Sequence, residues 1–360
     1  MPERRDPFRD RRTAGRIAKK IRAASGGMGH VRLMHVCGTH EDAISKAGIR
    51  SLLPGNVEVI SGPGCPVCVT TVKEIDEAVA LAKQGVTVTS FGDMMKVSGS
   101  ASSLADAKAG GGDVCMVYSI TDAVEMARER PGKEVVHIGI GFETTAPSTA
   151  IALLDAPENF YVLTCHRLIP PAMDFLLREG DTKIDGFINP GHVSAITGLE
   201  PYKKISTEYC IPQVVAGFEP VDMLFAIMLL LNMIKEKDCG VRNEYKRVVR
   251  DEGNPKALAA LGKVFDSCDV RWRGFPEIPE SGLCLKEEYS GHDARASFEI
   301  EVKDSPEPRG CQCGRVLKGL IYPKQCPLFA KRCTPQKPVG PCMVSGEGSC
   351  NIAYRYSKNA

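Results

Sequence analysis

Fifteen cysteines stand out in a chain of 360 residues, and six of them fall in the last fifty: Cys311, Cys313, Cys326, Cys333, Cys342 and Cys350. One, twelve, six, eight and seven residues separate successive members. Zinc ribbons draw their ligands from short C-x₂₋₄-C knuckles, and the one close pair here, a C-x-C, is too tight for that. Four spaced thiolates suit an iron–sulfur cluster, which leaves two cysteines for a redox pair. Residues 311–360 carry eight Lys/Arg against one Glu, a net +7 that would offset an anionic thiolate-bound cluster. A zinc or disulfide staple is the competing reading. In an extended C-x-C the two side chains point to opposite faces, so Cys311 and Cys313 are expected to divide, one to a metal and one to the redox pair.

Shorter motifs upstream carry the other reactive groups. Cys37-Gly38-Thr39-His40-Glu41 offers a soft thiol, an imidazole and a carboxylate within one turn. A helix beginning there would favour the thiolate; a buried, inert thiol is the alternative. Cys65-Pro66-Val67-Cys68, led in by Gly62-Pro63-Gly64, is a C-x-x-C that can close a disulfide, bind metal, or exchange between the two. Asp93 sits in Phe91-Gly92-Asp93-Met94-Met95, Glu143 in Gly141-Phe142-Glu143-Thr144-Thr145, and His192 after Asn189-Pro190-Gly191. His30, His35 and His137 lie in or beside apolar runs and read as core or surface groups.

What must position these groups is a series of short apolar runs at 31–36, 57–61, 86–91, 114–119, 135–140, 161–165, 184–188 and 212–216, with helical patterns between most of them at 72–83, 122–130 and 171–178. Alternating strands and helices predict a mostly parallel sheet covered on both faces. Ligands of such sheets bind beyond the carboxyl ends of the strands, which is where the Cys37, Cys65–Cys68, Asp93, Glu143 and His192 loops fall. The expected architecture is α/β, with two mostly parallel, doubly wound domains around a cleft and a Cys-rich C-terminal iron–sulfur domain. The expected boundaries are a basic N-terminal helix at 1–30, domains at 31–120 and 121–236 with a helix at 222–235 closing the second, and a C-terminal part at 237–360.

Composition narrows the function classes. With 43% hydrophobic and 25% charged residues the chain can bury a sizeable core. A formal charge of +2 argues against nucleic acid or an anionic membrane as the main partner. The longest apolar run, Met223 to Leu231, is nine residues, far short of a membrane span. The first residues are charged rather than an apolar leader, so a reducing cytoplasm is expected, where clustered cysteines signify metal or redox chemistry. Neither a Walker loop nor a complete GxGxxG occurs, so nucleotide binding has no support.

The ordered set HVCGTHEDAI, SGPGCPVCVT, FGDMMKVSGS, GFETTAP, NPGHVS and the terminal CQCG, KGL, CPLF, CTP, PVG and CMVS pieces resembles the HypD family of hydrogenase maturation proteins over nearly the whole chain. The resemblance implies a scaffold with redox activity rather than a conventional enzyme. On such a scaffold, together with a small HypC-type chaperone, one iron receives two cyanides and one carbon monoxide. The cyanide would come from a thiocyanate on a HypE-type partner charged by a HypF-type partner. It further implies that Cys37 is the iron ligand with His40 nearby, and that Cys65 and Cys68 are a dithiol facing a [4Fe-4S] cluster. The cluster would sit on Cys311, Cys326, Cys333 and Cys350, leaving Cys313 and Cys342 as a second dithiol, with Asp93 and Glu143 lining the cleft. The cluster region is also similar to that of ferredoxin:thioredoxin reductase, so a cluster-dependent protein disulfide reductase is the alternative. A zinc-stapled binding module is a third.

Overall fold

A computed structural model describes residues 6–356. All eight apolar runs are strands: β1 (Val31–His35), β2 (Val57–Ser61), β3 (Thr87–Ser90), β4 (Val114–Met116), β5 (Val135–Gly141), β6 (Phe160–His166), β7 (Gly186–Pro190) and β8 (Gln213–Ala216). Three more follow, β9 (Val241–Asn243), β10 (Phe265–Arg271) and β11 (Glu277–Leu285). All seven residues of β5 are buried, the pattern of a strand covered on both faces.

The strands do not divide near residue 120 as expected. One parallel sheet runs β2-β1-β7-β8-β9 and the other runs β4-β3-β5-β6, so the second sheet is inserted between β2 and β7 of the first. β1 pairs with β2 on one side and with β7, over 150 residues away in the chain, on the other. Strand patterning reports burial but not the partner, so a break in the sequence was no guide to sheet membership. β10 and β11 form an antiparallel hairpin apart from both sheets.

This topology creates two switch points. In the first sheet the chain leaves β1 toward β2 on one side while β7 lies on the other; in the second the same holds at β3, between β4 and β5. Loops diverge at such points and leave a crevice at the carboxyl ends. The Cys37 loop and the His192 loop flank the first switch point; the Asp93 loop and the Glu143 loop flank the second.

The basic N-terminal helix is Arg11–Ser25, which buries Ile17, Ala18 and Ile21 against the helix Pro220–Glu236. Met223 and Met233 of the latter are wholly buried core. At the other end, Leu317, Cys342, Met343 and Cys350 share a core with Val36, Val67 and Ile140 of the sheet regions. The C-terminal residues are therefore packed onto the two α/β units rather than around a separate apolar core. Among the described residues no helix is long and apolar enough to cross a membrane.

Candidate functional site

Cys37 lies two residues beyond β1 and immediately precedes the helix Gly38–Lys46, with extended dihedrals (φ −152°, ψ 130°). Three chain segments close around it. Gly38 N–H donates to Gly64 O at 2.9 Å, and a Cβ on Gly64 would fall 2.1 Å from Cys37 N, so only glycine lets the Gly-Pro-Gly loop approach this closely. A Cβ on Gly38 would fall 2.5 Å from Glu347 O, and Thr39 Oγ1 donates to Glu347 Oε1 at 2.9 Å. Asp93 holds that third segment, accepting from Ser345 Oγ at 2.9 Å and Gly346 N at 3.2 Å. Its carboxylate thus anchors the C-terminal segment against the Cys37 pocket.

Burial pushes the Cys37 thiol up to about 11, outweighing the His40 and Thr39 amides that favour the thiolate. The thiol is therefore neutral until a cation displaces its proton, and the low pKa expected at a helix start is not realised. His40 is wholly buried, and burial, assisted by His35, lowers its pKa to about 3. Its Nε2 donates to Ala216 O at 3.3 Å, while Nδ1 has no partner. A neutral ring whose Nε2–H is fixed by a carbonyl leaves Nδ1 as a free acceptor, the tautomer that ligates metal. Phe218 lies 4.9 Å from the His40 ring and stacks on His192 at 3.8 Å.

Glu41 does not join this pair as a free donor. Its carboxylate meets His35 Nε2 at 2.7 Å, accepts from Arg50 at 2.8 and 2.7 Å, and accepts from Ser45 at 3.0 Å. Burial would raise its pKa, but Arg50 and His35 together hold it well below the usual carboxylate range. This carboxylate braces the start of the helix, and sequence spacing could not reveal that Arg50 satisfies it.

Cys65 and Cys68 form a disulfide across the short helix Pro66–Val69, with Cα atoms 5.3 Å apart. That helix packs on the helix Pro341–Val344, which carries Cys342. Cys311 and Cys313 do not diverge: their sulfurs are 3.3 Å apart, because the chain turns into the helix Cys313–Leu317 instead of staying extended. The free thiols of Cys313 and Cys350 lie near enough to Cys342 to raise its pKa, and Cys333 feels the charges of Cys313 and Cys311. Five of the six C-terminal cysteines thus converge. Cys326, half-buried after the turn Pro323–Gln325, is not among them. Among the described residues no group of three or more His, Cys, Asp or Glu side chains is already arranged to hold a metal ion.

Glu143 is buried at the end of β5. One oxygen accepts from Ile169 N at 3.0 Å, the other has no partner, and burial pushes the carboxyl up to about 7. Its charge also bears on the buried hydroxyl of Tyr202, a residue of the first α/β unit.

Two features had no signal in the sequence. Cys210 and Cys239 form a disulfide that ties the end of the helix Glu200–Tyr209 to the turn before β9, although cysteines outside the motifs gave no cause to pair them. Arg273, in the irregular stretch before β11, is buried with both terminal nitrogens unpartnered.

A family model described as "HypD: Hydrogenase formation hypA family" matches residues 12–357. A hydrogenase expression/formation protein of Methanocaldococcus jannaschii is 47% identical, the match covering 97% of this chain and 98% of that one. Hydrogenase maturation factors HypD of Cupriavidus necator and of Azotobacter vinelandii are 42% and 40% identical, over 98% of this chain and 97% and 96% of theirs.

Proposed function

This chain belongs to the HypD family of hydrogenase maturation proteins, and from that premise we propose that it is the scaffold on which an iron ion acquires two cyanides and one carbon monoxide. The observation that carries this reading is the pair at the first switch point: a buried Cys37 thiol and a His40 ring whose unpartnered Nδ1 is a free acceptor. Iron is the cargo, and low-spin iron bearing such ligands calls for a soft thiolate in a site sheltered from water and oxygen. Proton loss from Cys37 accompanies iron entry, since the buried thiol otherwise keeps its proton.

Cyanide delivery needs electrons. An organic thiocyanate R–S–CN takes up two electrons to give R–S⁻ and CN⁻, and a dithiol closing to a disulfide releases two electrons and two protons. Cys65 and Cys68 would carry that exchange; they lie on the loop whose Gly64 touches Cys37. Glu143, with a pKa near neutrality and a free oxygen, is suited to hold a proton in the cleft.

The C-terminal residues fit a [4Fe-4S] cluster by their donor chemistry: five convergent cysteines beside a buried guanidinium with unpartnered N–H groups. When bound, the cluster supplies electrons one at a time for restoring the dithiol. Cys311, Cys333 and Cys350 would hold it from within this convergence and Cys326 from the turn outside it, leaving Cys313 and Cys342 as the second dithiol. A HypC-type chaperone would share the iron, and a HypE-type donor, charged by a HypF-type partner, would bring the cyanide. A disulfide reductase resembling ferredoxin:thioredoxin reductase would use the same dithiol and cluster but has no task for Cys37 and His40.

The test is infrared spectroscopy on the anaerobic complex with the HypC-type chaperone. Cys37→Ala is expected to lose the cyanide and carbonyl stretching bands and to keep the cluster's visible absorbance. Unchanged bands in the variant would refute the ligand role.

A further inference from the structure

Arg273 and Trp272 are the two largest side chains that are essentially sealed from solvent. The Arg273 backbone N–H donates to Val69 O at 2.8 Å, which ties it to the end of the Cys65–Cys68 helix. Next to it Gly274 adopts φ +80°, and a Cβ there would fall 2.4 Å from Gly314 Cα, so the turn lies directly against the residue following Cys313. A Cβ on Gly340, in turn, would fall 2.6 Å from the sulfurs of both Cys311 and Cys313. Arg273 therefore sits where the dithiol loop and the C-terminal cysteines meet.

Its hydrogen bonding is incomplete in a particular way. Nε donates to Glu307 at 2.7 Å, but Nη1 and Nη2 have no partner. Leaving these charged donors unpaired in the interior is costly, so an acceptor is expected there. Arg167, also buried, differs: its Nη2 donates to Glu74 at 2.7 and 2.8 Å and to Arg271 O at 3.0 Å. The surface lysines and arginines of the C-terminal segment are screened by water and salt, whereas a buried cation is not.

We propose that Arg273 is the fixed counter-cation of the C-terminal cysteine centre, a positioning residue whose free Nη groups face the anionic sulfur environment of the bound cluster and hold its reduction potential within reach of the Cys65–Cys68 dithiol. This rests on the reading of those cysteines as the seat of a [4Fe-4S] cluster. Reduction adds one negative charge, and a nearby buried cation stabilises that form. Removing the cation makes reduction harder.

The experiment is an anaerobic redox titration of the full chain followed by electron paramagnetic resonance, on wild type, Arg273→Gln, Arg273→Lys and Glu307→Gln. Arg273→Gln should lower the one-electron reduction constant on the order of tenfold, the effect of a unit charge at ~10 Å in a medium of effective dielectric ~20. Tenfold corresponds to a potential about 59 mV more negative. Arg273→Lys should stay near wild type, and Glu307→Gln, which removes the exposed partner of Arg273, should shift the potential in the opposite direction. An Arg273→Gln cluster at the wild-type potential overturns the proposal. Should that variant not assemble a cluster, an unmoved Glu307→Gln potential does so instead. Wild-type protein with no iron–sulfur signal removes the cluster reading itself and this inference with it. A wild-type cluster indifferent to all three substitutions overturns only the role of Arg273.

Discussion

Replacing Glu143 by glutamine isolates the energetics of one buried carboxyl. In the folded chain its pKa rises from 4.5 to about 7 because burial disfavours the charged form. The sign follows from proton counting. Below pH 4.5 both folded and unfolded chains carry the proton, and the group costs nothing. Between 4.5 and about 7 the unfolded chain releases its proton first, so stability falls as pH rises. Above that window the two states are again alike in protonation, and the penalty is complete. At 1.36 kcal/mol per pKa unit the full penalty is about 3 kcal/mol. The amide introduced by Glu143→Gln keeps a carbonyl oxygen for the Ile169 N–H, which now donates at 3.0 Å, and never ionises. The assay is urea unfolding at pH values from 4.5 to 8, followed by the single tryptophan, Trp272, which stacks on Phe142 next to the substituted position. Any constant packing cost of the amide cancels when slopes are compared. The variant should gain on wild type by about 3 kcal/mol between the ends of this range. Parallel pH dependences for the two proteins would refute the claim that Glu143 is held protonated by burial.

Other consequences are as direct. Gly64→Ala places a Cβ 2.1 Å from Cys37 N, so it should destabilise the chain by at least about 2 kcal/mol in chemical unfolding and speed alkylation of Cys37, read by mass spectrometry. Glu41→Gln leaves the partly exposed Arg50 without its carboxylate, and should cost about 3 kcal/mol of unfolding free energy, the lower end for breaking a buried pair. A loss below about 0.5 kcal/mol would show that the bracing role is wrong. Serine at Cys313 or Cys342 should spare the cluster's visible absorbance, while serine at Cys311, Cys326, Cys333 or Cys350 should bleach it. Equal bleaching at Cys313 and Cys326 would rule out this division of the six.

Strand existence was legible because parallel strands buried on both faces are written as unbroken apolar runs, and β1 to β8 all coincide with such runs. The hairpin β10–β11 was not, since its strands leave residues such as Asp266, Ser267 and Glu277 exposed and lack that signature. Cys37 and His40 could be placed at a strand end from local pattern and the general rule for parallel sheets. That they flank a switch point follows only from β1 pairing with β7, and pairing is a contact between residues far apart in the chain. The same limit governs charge and sulfur. Spacing suggested that Glu41 was available and that Cys311 and Cys313 diverge. Arg50 reaches the first, and a helical turn at Cys313 undoes the second. Residue order thus determined which chemistry the chain carries and which segments are buried. Tertiary structure decided which thiols meet, which carboxylates are already satisfied and that the Arg273 guanidinium is buried, because each depends on partners brought together only by folding.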